Sequence, residues 1–227
     1  MMRQKKRILL IEDDPEINKL LRIMLTDKTV ETVQAYSGTE GLLQLQMDTF
    51  NLILLDLMLP GKRGEELIEE IRKESAIPII VISAKTDVDD KVSVLKMGAD
   101  DYITKPFHQQ EVVARVEVQL RKVVPSSLKT LELVWQDLQL HTEKRSACLS
   151  GHLLQMTNAE FDILHLLMRQ PERAFSKREI YESIWKDTYY GDDNTISVHI
   201  SNLRRKIAEH TSREYIKTVW GVGFMLV

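Results

Sequence analysis

Asn51-Leu52-Ile53-Leu54-Leu55-Asp56 is an apolar run closed by a carboxylate, and it reads as a buried strand with Asp56 at its carboxyl end. A second run of the same kind lies upstream, where Arg7-Ile8-Leu9-Leu10-Ile11 leads straight into Glu12-Asp13-Asp14. Acids crowded into one place repel each other unless a cation sits among them, and a hard divalent ion such as Mg2+ accepts few carboxylates and keeps waters. Two acidic clusters at strand ends therefore suggest one metal-bearing, phosphate-handling pocket. For either cluster alone a turn is the better reading, since an Asp side chain bonds the backbone just ahead of it.

Outward from these two runs, residues 1 to 122 alternate strand and helix patterns. Further strand candidates are Thr29 to Ala35, Ile77 to Ile82 and Asp101 to Thr104. Helical spacing joins Ile17, Leu20, Leu21, Met24 and Leu25, then Leu42 to Met47, Leu67 to Ile71, Val88 to Met97, and Val112, Val113, Val116 and Leu120. Five strand-helix units predict a parallel sheet covered by helices on both faces. Ligands of such sheets bind beyond the strand carboxyl ends, where the strand order reverses. After Lys122, Val123-Val124-Pro125-Ser126-Ser127 reads as a boundary, and brief strands broken by Thr142-Glu143-Lys144 and Ser150-Gly151 predict an antiparallel sheet. Thr157-Asn158-Ala159-Glu160 and Ser176-Lys177-Arg178-Glu179 are capping boxes that open helices at Asn158 and Lys177. A third helix runs from about Asn194 to Glu209, and a hairpin turning on Trp220-Gly221-Val222-Gly223 ends the chain.

With 227 residues, 43% hydrophobic and 29% charged, the chain has room for two packed domains and is too apolar for disorder. The basic start Met1 to Arg7 lacks the apolar stretch of a signal peptide, and no run is long enough to suggest a membrane span. The single cysteine, Cys148, cannot form an intrachain disulfide, which fits a reducing cytoplasm. Residues 1 to 122 hold 18 basic and 21 acidic side chains and the remainder 13 of each, so bulk charge gives no hint of nucleic acid.

Two more strand ends carry chemistry: Ser83 follows Ile77 to Ile82, and Lys105 follows Tyr102-Ile103-Thr104. Asp56 can act as a nucleophile toward phosphorus. Phosphoryl transfer requires mainly positioning and neutralised charge, which Mg2+ held by Asp13 and Asp56 and the ammonium of Lys105 would supply, with Ser83 donating to a phosphoryl oxygen. Glu12-Asp13-Asp14, Asp56-Leu57-Met58-Leu59-Pro60-Gly61, Ser83-Ala84 and Lys105-Pro106-Phe107 together resemble the receiver domain of two-component response regulators over residues 6 to 122. The resemblance implies a five-stranded, flavodoxin- or CheY-like α/β domain whose Asp56 takes a phosphoryl group from a sensor histidine kinase. It further implies a magnesium site of Asp13, Asp56 and the Met58 carbonyl, with Glu12 assisting, and a cis Lys105-Pro106 bond. An enzyme reading, a slow acyl phosphatase, lacks the second carboxylate two residues on, because position 58 is Met.

Tyr102 resembles the family's switch aromatic, which fills the space vacated when phosphate draws Ser83 inward. The surface so altered would hold Lys91, Asp100, Asp101, Glu111, Arg115 and Arg121, through which relatives form a symmetric receiver dimer.

In the third helix of the second part, Ile196, Ile200, Leu203 and Ile207 recur at helical spacing and would face inward. Thr195, Val198, His199, Asn202, Arg205 and Lys206 would then lie largely outward, a polar face suited to a major groove. Leu154 to Val227 resembles the winged helix-turn-helix, an α+β effector domain, of OmpR/PhoB-type regulators. By that match Thr195, His199, Arg204 and Thr218 contact phosphates while Val198 and Asn202 face bases, and Trp220 stands where relatives often have arginine. The reading is a cytoplasmic, phosphorylation-controlled transcription regulator with a receiver at 6–122, a linker at 123–128 and an effector domain at 129–227. Its partners would be a sensor kinase, double-stranded DNA with tandem half-sites, a second copy of the chain and RNA polymerase. The alternative is a signalling module whose second domain binds a protein.

Overall fold

The computed structural model describes residues 5–27, 29–121, 132–185 and 193–227, with the backbone alone at 121 and 193; the expected linker at 123–128 falls outside the described residues. Contacts divide the chain into two units, Met1–Val123 and Val124–Val227.

In the first unit the elements run β1 (Lys6–Ile11), α1 (Pro15–Leu25), β2 (Val30–Ala35), α2 (Gly38–Met47), β3 (Leu52–Leu55), α3 (Gly64–Glu74), β4 (Ile79–Ser83), α4 (Val88–Met97), β5 (Asp101–Thr104) and α5 (Gln109–Arg121). The five strands lie in the order β2-β1-β3-β4-β5, all parallel. Alternate strand residues, Ile8, Leu10, Leu52, Leu54, Ile80, Ile82 and Ile103, pack against Leu21 and Leu25 of α1 and Val112 and Val116 of α5. The residues between them, such as Leu9, Ile53 and Val81, are equally buried on the other face. Covering on both faces is why the central strands read as apolar runs, residues 8–11, 52–55 and 79–82, whereas the edge strand β2 keeps Glu31, Thr32 and Gln34. The chain leaves β1 in one direction for β2 and returns past it to β3, so the order reverses between β1 and β3, and the crevice there opens at Ile11 and Leu55. Asp14 caps α1: its carboxylate accepts from the amides of Glu16 at 2.8 Å and Ile17 at 3.1 Å, with Pro15 at the first helical position. Here the turn-forming role of a strand-end acid is realised.

The second unit opens with an antiparallel meander of β6 (Glu132–Trp135), β7 (Leu138–His141), β8 (Ser146–Leu149) and β9 (His152–Leu154). Then come α6 (Asn158–Arg169), β10 (Phe175–Ser176), α7 (Lys177–Trp185), α8 (Asp193–Ala208) and the hairpin β11 (Ile216–Val219) and β12 (Gly223–Leu226). Both capping boxes form: Thr157 N–H donates to Glu160 and Glu160 N–H to the Thr157 hydroxyl, and Ser176 and Glu179 make the same exchange. The two-residue β10 is too short to leave a periodic signal, yet it pairs with β12. That pairing explains Gly223, where a Cβ would lie 2.0 Å from the Phe175 carbonyl oxygen. Leu164, Leu167, Ile180, Ile184, Ile200 and Leu203 join α6, α7 and α8 in one core with Leu138, Leu149 and Phe224 of the two sheets. Among the described residues no helix is long and apolar enough to cross a membrane.

Candidate functional site

At the reversal of strand order the chain assembles its acids. Asp56 follows β3, held by its own N–H on the Ile11 carbonyl at 2.9 Å and covered by Gly64, where a Cβ would come within 2.6 Å of the Asp56 carbonyl oxygen. Lys105 follows β5, its N–H on the Ser83 carbonyl at 2.8 Å, and the Lys105-Pro106 bond is cis. The Lys105 ammonium donates to Asp56 Oδ2 at 2.6 Å and to Glu12 at 2.8 and 3.0 Å. Met58 N–H donates to Asp56 Oδ1 at 3.1 Å. Glu12 is 2% and Asp56 5% exposed. Burial pushes the Glu12 carboxyl up to about 7, with the Asp56 charge adding and Lys105 opposing. Burial lowers Lys105, but its bonds to Asp56 and Glu12 outweigh that and raise it, so the ammonium stays charged. Carboxylate oxygens of Glu12, Asp13 and Asp56 lie within 4.8 Å of one another, with Asp13 at the exposed rim. An all-oxygen, doubly buried donor set suits a hard cation such as Mg2+ rather than a softer metal.

Ser83 is fully buried and its hydroxyl accepts from Lys85 N–H at 3.3 Å. Tyr102 is 7% exposed and occupies the inward position; its hydroxyl donates to the Lys85 carbonyl at 2.8 Å. Burial raises the phenol, while a bond with the Ser83 hydroxyl works against it. Lys91 lies with its ammonium 5.7 Å from the Tyr102 ring centre. Nothing in the sequence marks Lys85 as part of this site. Only the packing of β4 against β5 shows that its carbonyl meets Tyr102, while its ammonium pairs with Glu65 at 2.8 Å.

Of the residues expected on the pairing face, Asp101, Glu111 and Arg115 form one network within the chain, but Asp101 is 3% exposed, so it lies beneath that face and holds Arg115 instead of standing on the surface. Arg115 reaches both Asp101 oxygens at 2.9 Å and Glu111 at 3.1 Å. Asp100 requires a correction. It is fully buried and accepts from Arg72 of α3 and from Ile79 N–H, both at 3.0 Å, so it ties α3 to β4 and does not lie on a surface. The side chain of Arg121 lies outside the described residues.

In α8 too the side chains lie otherwise than the helical spacing predicts. Thr195, Val198, His199 and Asn202, expected outward, are buried, at 5%, 5%, 0% and 5% exposure. The reason is that α8 packs on α6 and on α7 at once, so more than one stripe of its surface is covered. The His199 ring, for instance, stacks on Trp185 of α7 at 6.2 Å. Asn194, Ser201, Arg205 and Ala208 face water, with Ser197 and Arg204 partly exposed. Lys206 pairs with the buried Glu160 at 2.6 Å, and Arg204 donates to the Ile216 carbonyl at 2.9 Å and the Thr218 hydroxyl at 2.8 Å.

Residues 8–117 match the family model of the response regulator receiver domain, and residues 151–226 that of the C-terminal domain of transcriptional regulatory proteins. The uncharacterized transcriptional regulatory protein YcbL of Bacillus subtilis is 37% identical over 96% of this chain and 99% of its own length. The DNA-binding response regulator MtrA of Mycolicibacterium smegmatis is 33% identical over 97% of this chain and 96% of its own. Among solved structures, the response regulator DrrB of Thermotoga maritima, an OmpR/PhoB homologue, superposes with a TM-score of 0.53 at 25% identity, covering 98% of this chain and 99% of that one.

Proposed function

The chain belongs to the OmpR/PhoB-type response regulators, DNA-binding transcriptional regulators that join a receiver to a C-terminal effector domain, and on that premise we propose that phosphorylation of Asp56 by a sensor histidine kinase governs its grip on DNA. One observation carries the reading: the Lys105 ammonium bridges Glu12 and Asp56 in a buried, all-oxygen crevice, at 2.8 and 2.6 Å. An Asp56 carboxylate oxygen forms the new O–P bond as the P–N bond of the phosphorylated kinase histidine breaks, the imidazole taking the electron pair. Lys105 neutralises charge on the phosphoryl group, and the Ser83 hydroxyl lies at the adjoining strand end to donate to it. Asp13, Asp56 and the Met58 carbonyl would hold Mg2+, assisted by Glu12, and the ion supplies further charge neutralisation when bound.

Position 58 is Met, 62% exposed, so the second carboxylate two residues on, with which an aspartyl phosphatase would activate water, is replaced by a thioether. The acyl phosphate is therefore long-lived and the chain is a phosphoacceptor with slow self-hydrolysis. We place the receiver at residues 6–122, a linker at 123–128 and the effector domain at 129–227. Lys91, Glu111 and Arg115, the last held by the buried Asp101, carry receiver pairing in the phosphorylated form, which sets two effector domains on tandem half-sites by raising their effective concentration. Arg205, with Arg204 and Thr218 where α8 meets the hairpin, contacts the DNA backbone. The regulator works in the cytoplasm and meets RNA polymerase at its promoters. Nothing in the comparisons favours a protein ligand for the effector domain.

The test is phosphoryl uptake from a labelled acyl-phosphate donor. The wild type incorporates label in the presence of Mg2+ and then shifts in sedimentation and binds its selected duplexes more tightly, and Asp56→Asn does none of these. Equal labelling of Asp56→Asn would overturn the assignment.

A further inference from the structure

The chain has three tryptophans, and two are absorbed by the fold: Trp185 is 2% exposed, and the Trp135 indole N–H donates to the Val227 carbonyl at 3.1 Å. Trp220 is 91% exposed and its neighbour Val222 50%. Both sit at the tip of the β11–β12 hairpin, in a turn closed by Val222 N–H on the Val219 carbonyl at 3.0 Å, with Gly221 at φ +75°. Such a turn calls for glycine at the positive-φ position but has no use for an indole beside it. A Cβ on Gly221 would meet nothing within 4 Å, so the tip is open.

The mount, by contrast, is stiff. Arg204 near the end of α8 donates to Ile216 and Thr218 of β11 and lies over the Phe224 ring of β12 at 5.7 Å. On its other edge the hairpin is fixed by the pairing of β10 with β12. A helix fits the major groove, and a hairpin tied to that helix with an exposed tip has the adjacent minor groove within its reach. There an apolar ring cannot exploit negative potential as a cation would, but it can insert between base pairs and kink the duplex.

We infer that Trp220 is a wedge: mounted rigidly on α8 through Arg204, it enters the minor groove of duplex DNA and unstacks a base step there. The inference rests on the DNA-binding reading above and adds to it a chain-specific preference for a deformable pyrimidine–purine step under the wing.

The full-length chain is first used to select duplexes from a random-sequence pool. The selected duplex is then made with 2-aminopurine at successive positions beside the helix contact. Wild type and Trp220→Phe raise the probe's fluorescence at one step, and DNA shields the exposed indole from acrylamide. Trp220→Ala, whose loss removes no buried contact, binds about ten- to a hundredfold more weakly and leaves the probe dark. Binding and unstacking by Trp220→Ala equal to wild type overturn this inference alone, because the wild type still binds. Shielding of the indole by phosphodonor without DNA also overturns it, and marks a protein-contact surface instead. Failure of the wild type to select any duplex sinks the DNA-binding premise together with it.

Discussion

Two adjacent aspartates at the start of β5 show how far the role of a charged residue depends on its immediate partners. Asp101 faces α5 and shares Arg115 with Glu111, while Asp100 is turned the other way into Arg72 and the Ile79 amide. Arg72 is itself 13% exposed in its side chain, so removing Asp100 leaves a nearly buried cation with a carboxylate missing. Asp100→Ala should therefore cost about 3–5 kcal/mol of receiver stability, read by urea unfolding of the full chain. Arg115→Ala leaves the buried Asp101 without its guanidinium and should destabilise the receiver as well, so pairing is read from Glu111→Ala, whose side chain is 35% exposed and whose loss should weaken pairing under phosphodonor at little cost in stability. The alternation of strand and helix shows that both acids lie at a strand start. It does not show that both are interior, because that depends on α3 and α5 lying against the sheet at that point.

At the scale of the element, α8 decides the output surface. Packing on two helices buries Asn202, so Asn202→Ala acts mainly through folding, whereas Arg205, which faces water, acts through DNA. Arg205→Ala should weaken binding to all sequences alike and lower the slope of log affinity against log salt by about 1. A base-specific change from Asn202→Ala in a variant of unchanged stability would contradict this division. In α6, His165 stacks on Phe161 at 6.1 Å. Burial lowers its imidazole from the ordinary 6.5, with Arg169 and Arg145 adding and Asp162 opposing. A base lowered in the folded state binds its proton more readily when unfolded. Its contribution is thus complete above about pH 6.5 and is lost as the pH falls below that value. The effector domain should lose stability on acidification below this point, and His165→Phe should flatten that part of the unfolding profile.

For the whole molecule, the first unit should carry the response to metal. An ion that binds only the folded state stabilises it by RT ln(1 + [L]/Kd), about 2.7 kcal/mol at a hundredfold excess over Kd. Mg2+ should raise the unfolding midpoint of the receiver, chelation should reverse the rise, and Asp56→Asn or Asp13→Asn should blunt it; an unchanged midpoint in calorimetry would remove the metal from the site. Much of this is legible in the sequence. The order of the elements, the parallel sheet, both capping boxes and the placement of Glu12, Asp56, Ser83 and Lys105 at strand ends follow from periodicity and from local bonding, which act over a few residues and leave their mark in the chain itself. Tertiary structure alone decided the outward side of α8, the interior place of Asp100, the inward place of Tyr102 and the third strand Phe175–Ser176 beside the hairpin. Each of these depends on how many neighbours press on a surface, and a repeat along one segment carries no record of what packs against it from elsewhere.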